Sequence, residues 1–74
     1  MPDPTDPTGR VLSIRGSVID ARFPERLPRV HHQLVAGSDE EVVVEVVTHL
    51  NDEAVRGIAL SRTQGLARGD RIRD

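Results

Sequence analysis

The chain has 74 residues, no cysteine and a formal net charge of −2, from twelve acidic and ten basic side chains. This length permits one small domain, the lack of cysteine excludes disulfides and thiolate chemistry, and the near-neutral charge argues against a free-standing nucleic-acid-binding protein. No segment has the pattern of a transmembrane helix or a signal peptide, which predicts an intracellular protein.

The start of the chain differs in composition from the rest. Its first eight residues include three prolines and two aspartates. Proline is excluded from helix interiors and central strands, and the segment has little apolar surface to bury. We therefore predict a disordered proline-rich tail over residues 1–8 and a single β-barrel-type or sandwich domain over residues 9–74.

Residues 9–24 contain two short apolar runs separated by Gly16. The runs are rich in β-branched residues and too short for buried helices, so they predict strands. A glycine between strands is typical of a bend or bulge, and we expect the chain to bend at Gly16 and so curl the sheet. Alternation places Ile19, Ala21 and Phe23 on one face. Because Phe23 is the only aromatic residue, the core is otherwise aliphatic.

The next segment, residues 24–32, begins with a proline and contains a second one. It predicts an irregular connection that Leu27 and Val30 hold against the domain. Residues 33–36 are predicted to form a short strand, which the turn residues beginning at Gly37 end.

Residues 40–50 form the strongest predicted strand, with valine on both of its faces. The face without charge is expected to be the core, and it comprises Val42, Val44, Val46, Thr48 and Leu50. Residues 54–60 pair back as a hairpin, and residues 70–74 begin a last strand. Six short strands with frequent turns are typical of a small barrel or sandwich.

The other face of the 40–50 strand mixes valine with charge, as expected where a strand is half-buried against a neighbouring subunit. Charged residues in the other strands have two interpretations. They form ion pairs between neighbouring domains, or they are ordinary outward-facing charges that contribute at most about 1 kcal/mol per pair. The residues that we predict at a subunit interface are Asp20, Arg22, Val43, Glu45, Val47 and Arg56.

The sequence offers few candidates for metal binding or catalysis. The adjacent His31 and His32 would point to opposite sides of a strand and so seldom hold one ion. The acidic clusters at residues 39–41 and 52–53 lack the spacing of a calcium loop. No serine has a glycine elbow or an ordered base and acid. We therefore predict no catalytic, cofactor-binding or metal-binding residue.

Five motifs occur in order along residues 9–74. They are G-R-V-x-x-I-x-G-x-V-I-D-x-x-F-P (9–24), L-P-x-V (27–30), V-V-V-E-V-V-T-H-L (42–50), V-R-G-I-A-L (55–60) and T-x-G-L-x-R-G-D-x-I-x-D (63–74). Their order and spacing resemble the opening of the catalytic beta subunit of F-type ATP synthases.

This resemblance implies an all-β fold, a small closed six-stranded antiparallel barrel that forms the N-terminal domain of a longer subunit. It implies that such barrels, from alpha and beta subunits in turn, form a crown ring that holds the catalytic hexamer together. The implied partners are alpha subunits, with no nucleic acid and no direct membrane contact. The implied location is cytoplasmic, peripheral to the inner membrane of a bacterium.

The resemblance also implies that the parent subunit couples ATP synthesis or hydrolysis to proton or sodium transport. Mg-ATP or ADP would be bound by the next domain, through a G-x-x-x-x-G-K-[ST] loop. This chain has no such loop and no lysine. We therefore expect a fragment that is not an enzyme and holds no cofactor by itself.

The alternative is a stand-alone oligonucleotide-binding barrel, which would stack bases on aromatic side chains. The single phenylalanine and the negative net charge argue against it. Titration with single-stranded oligonucleotides at low salt distinguishes the two functions.

Overall fold

The computed structural model describes residues 7–74, and its regular structure consists of strands. They are β1 (Thr8–Arg15), β2 (Val18–Arg22), β3 (Gln33–Ala36), β4 (Val42–His49), β5 (Ala54–Ala59) and β6 (Arg71–Arg73). Each neighbouring pair is antiparallel, and the order β1-β2-β5-β4-β3-β6 closes into a barrel because β6 pairs with both β3 and β1. The predicted all-β, six-stranded closed barrel is confirmed.

The predicted tail lies mostly outside the described residues, which begin at Pro7. Thr8, the last residue of the predicted tail, is the first residue of β1 and pairs with Arg73 of β6. The Pro7 carbonyl accepts a hydrogen bond of 3.0 Å from the Asp74 backbone N–H. The barrel therefore begins earlier than the predicted boundary at Gly9.

The chain bends at Gly16 between two strands as predicted, but the bend is a hairpin turn and is not the device that curls the sheet. Arg15 pairs with Val18, so β1 and β2 are joined by two residues only. The φ of Gly16 is 61°, a left-handed conformation that such tight turns require and glycine adopts readily. The irregularity that curves β1 lies instead at Leu12, where the register against β2 shifts.

The core is aliphatic apart from Phe23, as the composition predicts. The predicted inward face of β2 is confirmed, since Ile19, Ala21 and Phe23 are each 1% exposed. A glycine allows β4 and β5 to approach closely, because a Cβ on Gly57 would lie 2.5 Å from Val44 Cγ1. The remaining buried cluster residues are Val11, Leu34, Ala36, Val42, Val44, Val46, Val55 and Ile72.

The predicted inward face of β4 is correct only for its first half. Val42, Val44 and Val46 are buried, but Thr48 and Leu50 are exposed. The register against β5 shifts between Val46 and Thr48, so the residues after the shift no longer alternate as the sequence predicts. The expectation that Thr48 and Leu50 belong to the core is therefore wrong.

The connection over residues 24–32 is held to the barrel by Leu27 and Pro28, not by Leu27 and Val30 as predicted. Leu27 packs against the core and Pro28 is fully buried. Val30 is 37% exposed, so the predicted anchoring role of Val30 is wrong.

Candidate interaction surface

A two-point polar contact on the outer face of the barrel joins β2 to β5. Asp20 and Arg56 are cross-strand partners, and the Arg56 Nε and Nη2 groups donate to the two Asp20 carboxylate oxygens at 2.8 and 3.0 Å. Ser13 Oγ donates to the same carboxylate at 3.3 Å, and Arg15 lies 3.8 Å from it. These neighbours leave Asp20 only 9% exposed.

This contact changes the acidity of both partners. The hydrogen bond from Arg56 is the main reason why the pKa of Asp20 lies below its ordinary value, although burial of the carboxylate opposes the change. The same hydrogen bond raises the pKa of Arg56. The pair is therefore ionised at neutral pH and fastens β2 to β5.

Arg22 lies at the end of β2 and also finds its partner within the barrel. Its Nη2 and Nε atoms lie 3.0 and 3.1 Å from Oε2 of Glu53, in the turn before β5. Both side chains are about half exposed, so this pair contributes little to stability. Three of the predicted interface residues thus have their charge matched inside one chain.

The other three predicted interface residues lie on β4 and face outward. Val43 and Glu45 are half-buried, whereas Val47 is 47% exposed. Glu45 Oε2 lies 3.6 Å from Nδ1 of His31. The residue that pairs with Glu45 across the strands, on β5, is Ile58. All three residues keep some solvent-exposed surface in the barrel.

Two exposed apolar residues, one in β5 and one directly after it, were not among the predicted interface residues. Ile58 is 37% exposed and Leu60 is 53% exposed. Val18 of β2 is the cross-strand partner of Ile58, and the Leu60 N–H donates to the Val43 carbonyl at 2.8 Å. Neighbouring apolar residues of the three strands therefore lie side by side on the outer face. We call this set the outer apolar strip, and it comprises Val18, Val43, Ile58 and Leu60. The sequence contains one signal for this strip, since Arg56, Ile58 and Leu60 alternate along the chain and so share one face. The residues between them are small, so they did not show that the opposite face is the one that packs into the core.

The histidines of the chain have separate partners. His31 is near Glu45, His32 Nδ1 lies 2.8 Å from Asp74 Oδ2, and His49 Nε2 donates to the Pro28 carbonyl at 2.8 Å. Among residues 7–74, no three potential metal-ligating side chains are grouped. The described part of the chain also has no helix that is long and apolar enough to cross a membrane.

Phe23 bears directly on the alternative function. It is the single aromatic residue of the sequence and is 1% exposed. A base could not stack on it without opening the core, so the barrel lacks the aromatic platform typical of oligonucleotide-binding barrels.

Comparison with known proteins relates the barrel to one family. Residues 11–74 match the family described as "ATP synthase alpha/beta family, beta-barrel domain". The chain is 51% identical over 69 residues to "ATP synthase subunit beta 2" of Syntrophotalea carbinolica, a match that covers 93% of this chain and 15% of that protein. It is 52% identical over 66 residues to "ATP synthase subunit beta 2" of Chlorobium luteolum, covering 89% of this chain and 14% of that protein.

A third relative, "ATP synthase subunit beta 1" of a Marinomonas species, is 48% identical over 71 residues, with 89% of this chain and 14% of the relative covered. The chain thus spans about one seventh of the length of the curated relatives that it matches.

Proposed function

We propose a function for this chain from its family: it belongs to the ATP synthase alpha/beta family, as the N-terminal β-barrel domain of a beta subunit. The barrel acts as an assembly domain that binds the corresponding barrels of alpha subunits. Alternating barrels would form a crown ring, a fixed collar beneath which the nucleotide-binding domains change shape.

The observation that supports this proposal is apolar surface on the outside of a closed barrel. Within residues 7–74 every strand has a neighbouring strand on both sides, so this part of the chain presents no fully unpaired strand edge to another molecule. Binding must therefore use the faces of the strands. The outer apolar strip and Val47 present the kind of exposed hydrophobic surface that marks protein contacts.

The predicted interface residues divide into two roles in this proposal. Val43, Glu45 and Val47 contact the neighbouring subunit, together with Ile58 and Leu60. Asp20, Arg22 and Arg56 lie beside them and hold the contact face rigid through their pairs within the barrel.

For the whole subunit, the proposal rests on the family to which the chain belongs. The complex makes or hydrolyses ATP and transports protons or sodium ions, and it lies on the cytoplasmic side of a bacterial inner membrane. Mg-ATP or ADP is bound by the nucleotide-binding domain, while the barrel is not itself catalytic.

The proposed assembly role can be tested by placing a charged residue in the outer apolar strip. We expect Leu60→Glu, in a beta subunit that carries this barrel, to reduce the yield of alpha–beta hexamer after co-expression, because the interface would bury an unpaired carboxylate. Size-exclusion chromatography measures the yield. The matched control is Gln64→Glu, which adds the same charge at an exposed loop residue and should leave assembly unchanged. Equal hexamer yields from both variants would contradict the proposal.

A further inference from the structure

Three arginines lie side by side on the outer face of the barrel, across β6, β1 and β2. Arg71 of β6 pairs with Arg10 of β1, and Arg10 pairs with Arg22 of β2. Each of them is next to a buried apolar residue in its strand, so the alternation of the strands places the arginines outside. All three are exposed to solvent. We call Arg71, Arg10 and Arg22 the arginine row.

Within residues 7–74, a single arginine of the row has an acidic partner. Arg22 lies 3.0 Å from Glu53. Neither Arg71 nor Arg10 forms an ion pair with any carboxylate of the described chain. Arg10 Nη1 donates instead to the neutral carbonyl of Gly69, at 3.5 Å.

The acidic side chains that flank β6 have other partners. Asp70, before the strand, accepts from a backbone N–H of the preceding loop at 2.9 Å, and Asp74, after it, lies 2.8 Å from the His32 ring. The other arginine of β6, Arg73, pairs with Glu40 and donates to the backbone oxygen of Asp74 at 3.4 Å. The arginine row therefore presents three positive charges against one paired carboxylate.

This arrangement opposes folding slightly. Like charges directly opposite each other on two strands are destabilising, because their Cβ atoms lie only about 5 Å apart. The row contains two such pairs, whereas the neighbouring pairing of β2 with β5 matches Asp20 with Arg56. A row of like charges is expected where a binding partner supplies the opposite charge.

We propose that the arginine row binds an acidic segment of a partner protein, extended and with carboxylates at alternate residues. A guanidinium group matches a carboxylate through two hydrogen bonds, as Arg56 does with Asp20 in this barrel. Alternate side chains of an extended segment share one face and lie about 6.7 Å apart, so two of them reach arginines on adjacent strands. Since β6 and β1 supply no residue of the outer apolar strip, this surface is separate from the proposed assembly contact.

A nucleic acid would be the other large anionic partner. The arginine row crosses three strands and so spans only about 10 Å, which is short for a phosphate-binding track. Phe23 is 1% exposed, so no aromatic side chain of residues 7–74 lies beside the row to stack a base. Size and chemistry therefore favour carboxylates of a protein.

An NMR titration of the 74-residue chain tests this proposal, with the end-capped peptide Gly-Glu-Gly-Glu-Gly as the probe. At about 10 mM salt, where exposed charges are little screened, we expect the side-chain Nε–H signals of Arg71 and Arg10 to shift as peptide is added. The shifts should disappear at about 0.5 M salt. The uncharged peptide Gly-Gln-Gly-Gln-Gly should leave both signals in place.

Matched variants separate the arginine row from general attraction to positive charge. Arg71→Gln and Arg10→Gln should each weaken binding of the glutamate peptide about two- to five-fold, as the loss of one exposed ion pair suggests. Arg62→Gln removes the same charge from an exposed loop residue after β5 and should leave the affinity unchanged.

Three results would overturn the proposal. The glutamate peptide could leave the signals of Arg71 and Arg10 unmoved at low salt. Arg62→Gln could weaken peptide binding as much as Arg71→Gln does. A single-stranded oligonucleotide of the same charge could shift the arginine row at lower concentration than the peptide, which would assign the row to nucleic acid.

Discussion

Asp20 is a carboxylate on the outer face of the barrel that its own neighbours cover. Arg56 donates two hydrogen bonds to it, Ser13 donates one, and Arg15 is close. A covered carboxylate that accepts three hydrogen bonds is stabilised in its ionised form. A side chain that points outward from a strand can therefore still be shielded from water by its neighbours.

The lowered pKa of Asp20 predicts an acid-dependent loss of stability. A carboxyl whose pKa falls on folding stabilises the folded state above its unfolded pKa of about 4, and this contribution disappears as pH falls through the lower folded value. We expect Asp20→Asn to be less stable than the parent by about 1–2 kcal/mol at neutral pH. Urea unfolding at a series of pH values should show the difference shrinking below about pH 4.

The control for this prediction is Asp52→Asn, at an exposed residue in the turn before β5. It should change the free energy of unfolding little at any pH. A difference between Asp20→Asn and the parent that stayed constant down to about pH 2.5 would mean that the pKa of Asp20 is not lowered by folding.

Among the elements, β4 carries both the core and the candidate contact face. Its first half alternates as the sequence predicts, with Val42 and Val44 buried and Val43 and Glu45 half-buried. The shift of register after Val46 then exposes Thr48 and Leu50. Alternation along a strand could predict the faces, but a bulge depends on how the partner strand lies and has no clear signal in a single sequence.

The two faces of β4 predict opposite responses to the same charge. Val44→Asp should unfold the barrel, because a buried, unpaired carboxylate costs several kcal/mol and a domain of this size has only a small margin of stability. Val47→Asp places the carboxylate at a residue that is 47% exposed and should change stability by about 0.5 kcal/mol or less. Circular dichroism during thermal unfolding measures both. Similar melting temperatures for the two variants would refute the face assignment.

The candidate surface was predicted less completely than the fold. Val43 and Val47 were identifiable because valine alternates with charge on a strand whose other face is fully apolar. Ile58 and Leu60 were not, since the inward residues beside them, Gly57 and Ala59, are small, and the outer face therefore looks the more hydrophobic there. The pairing of Asp20 with Arg56 depends on the register between β2 and β5, which sequence alone does not fix.

At the scale of the whole molecule, closure of the barrel means that the strand pairing needed for folding and the surface proposed for assembly are different parts of the chain. The predicted family and the closed fold are confirmed. Since β6 joins β1 to β3, each of the six strands of residues 7–74 has a neighbouring strand on both sides. In the proposed assembly, association with other subunits would rest on side chains of the outer face, and we expect a single chain to fold without them.

This separation predicts that the isolated chain is monomeric or only weakly self-associating. A stable contact buries about 800 Å² on each partner, which is about a sixth of the 4815 Å² accessible surface of this chain. The outer apolar strip supplies four residues, two of them already half-buried, and its proposed partner is a different subunit. Sedimentation velocity at about micromolar concentration should give a monomer, and Leu60→Glu should sediment identically. A discrete, stable homohexamer at that concentration would show that the barrel pairs with itself and would remove the reason for expecting an alpha-subunit partner.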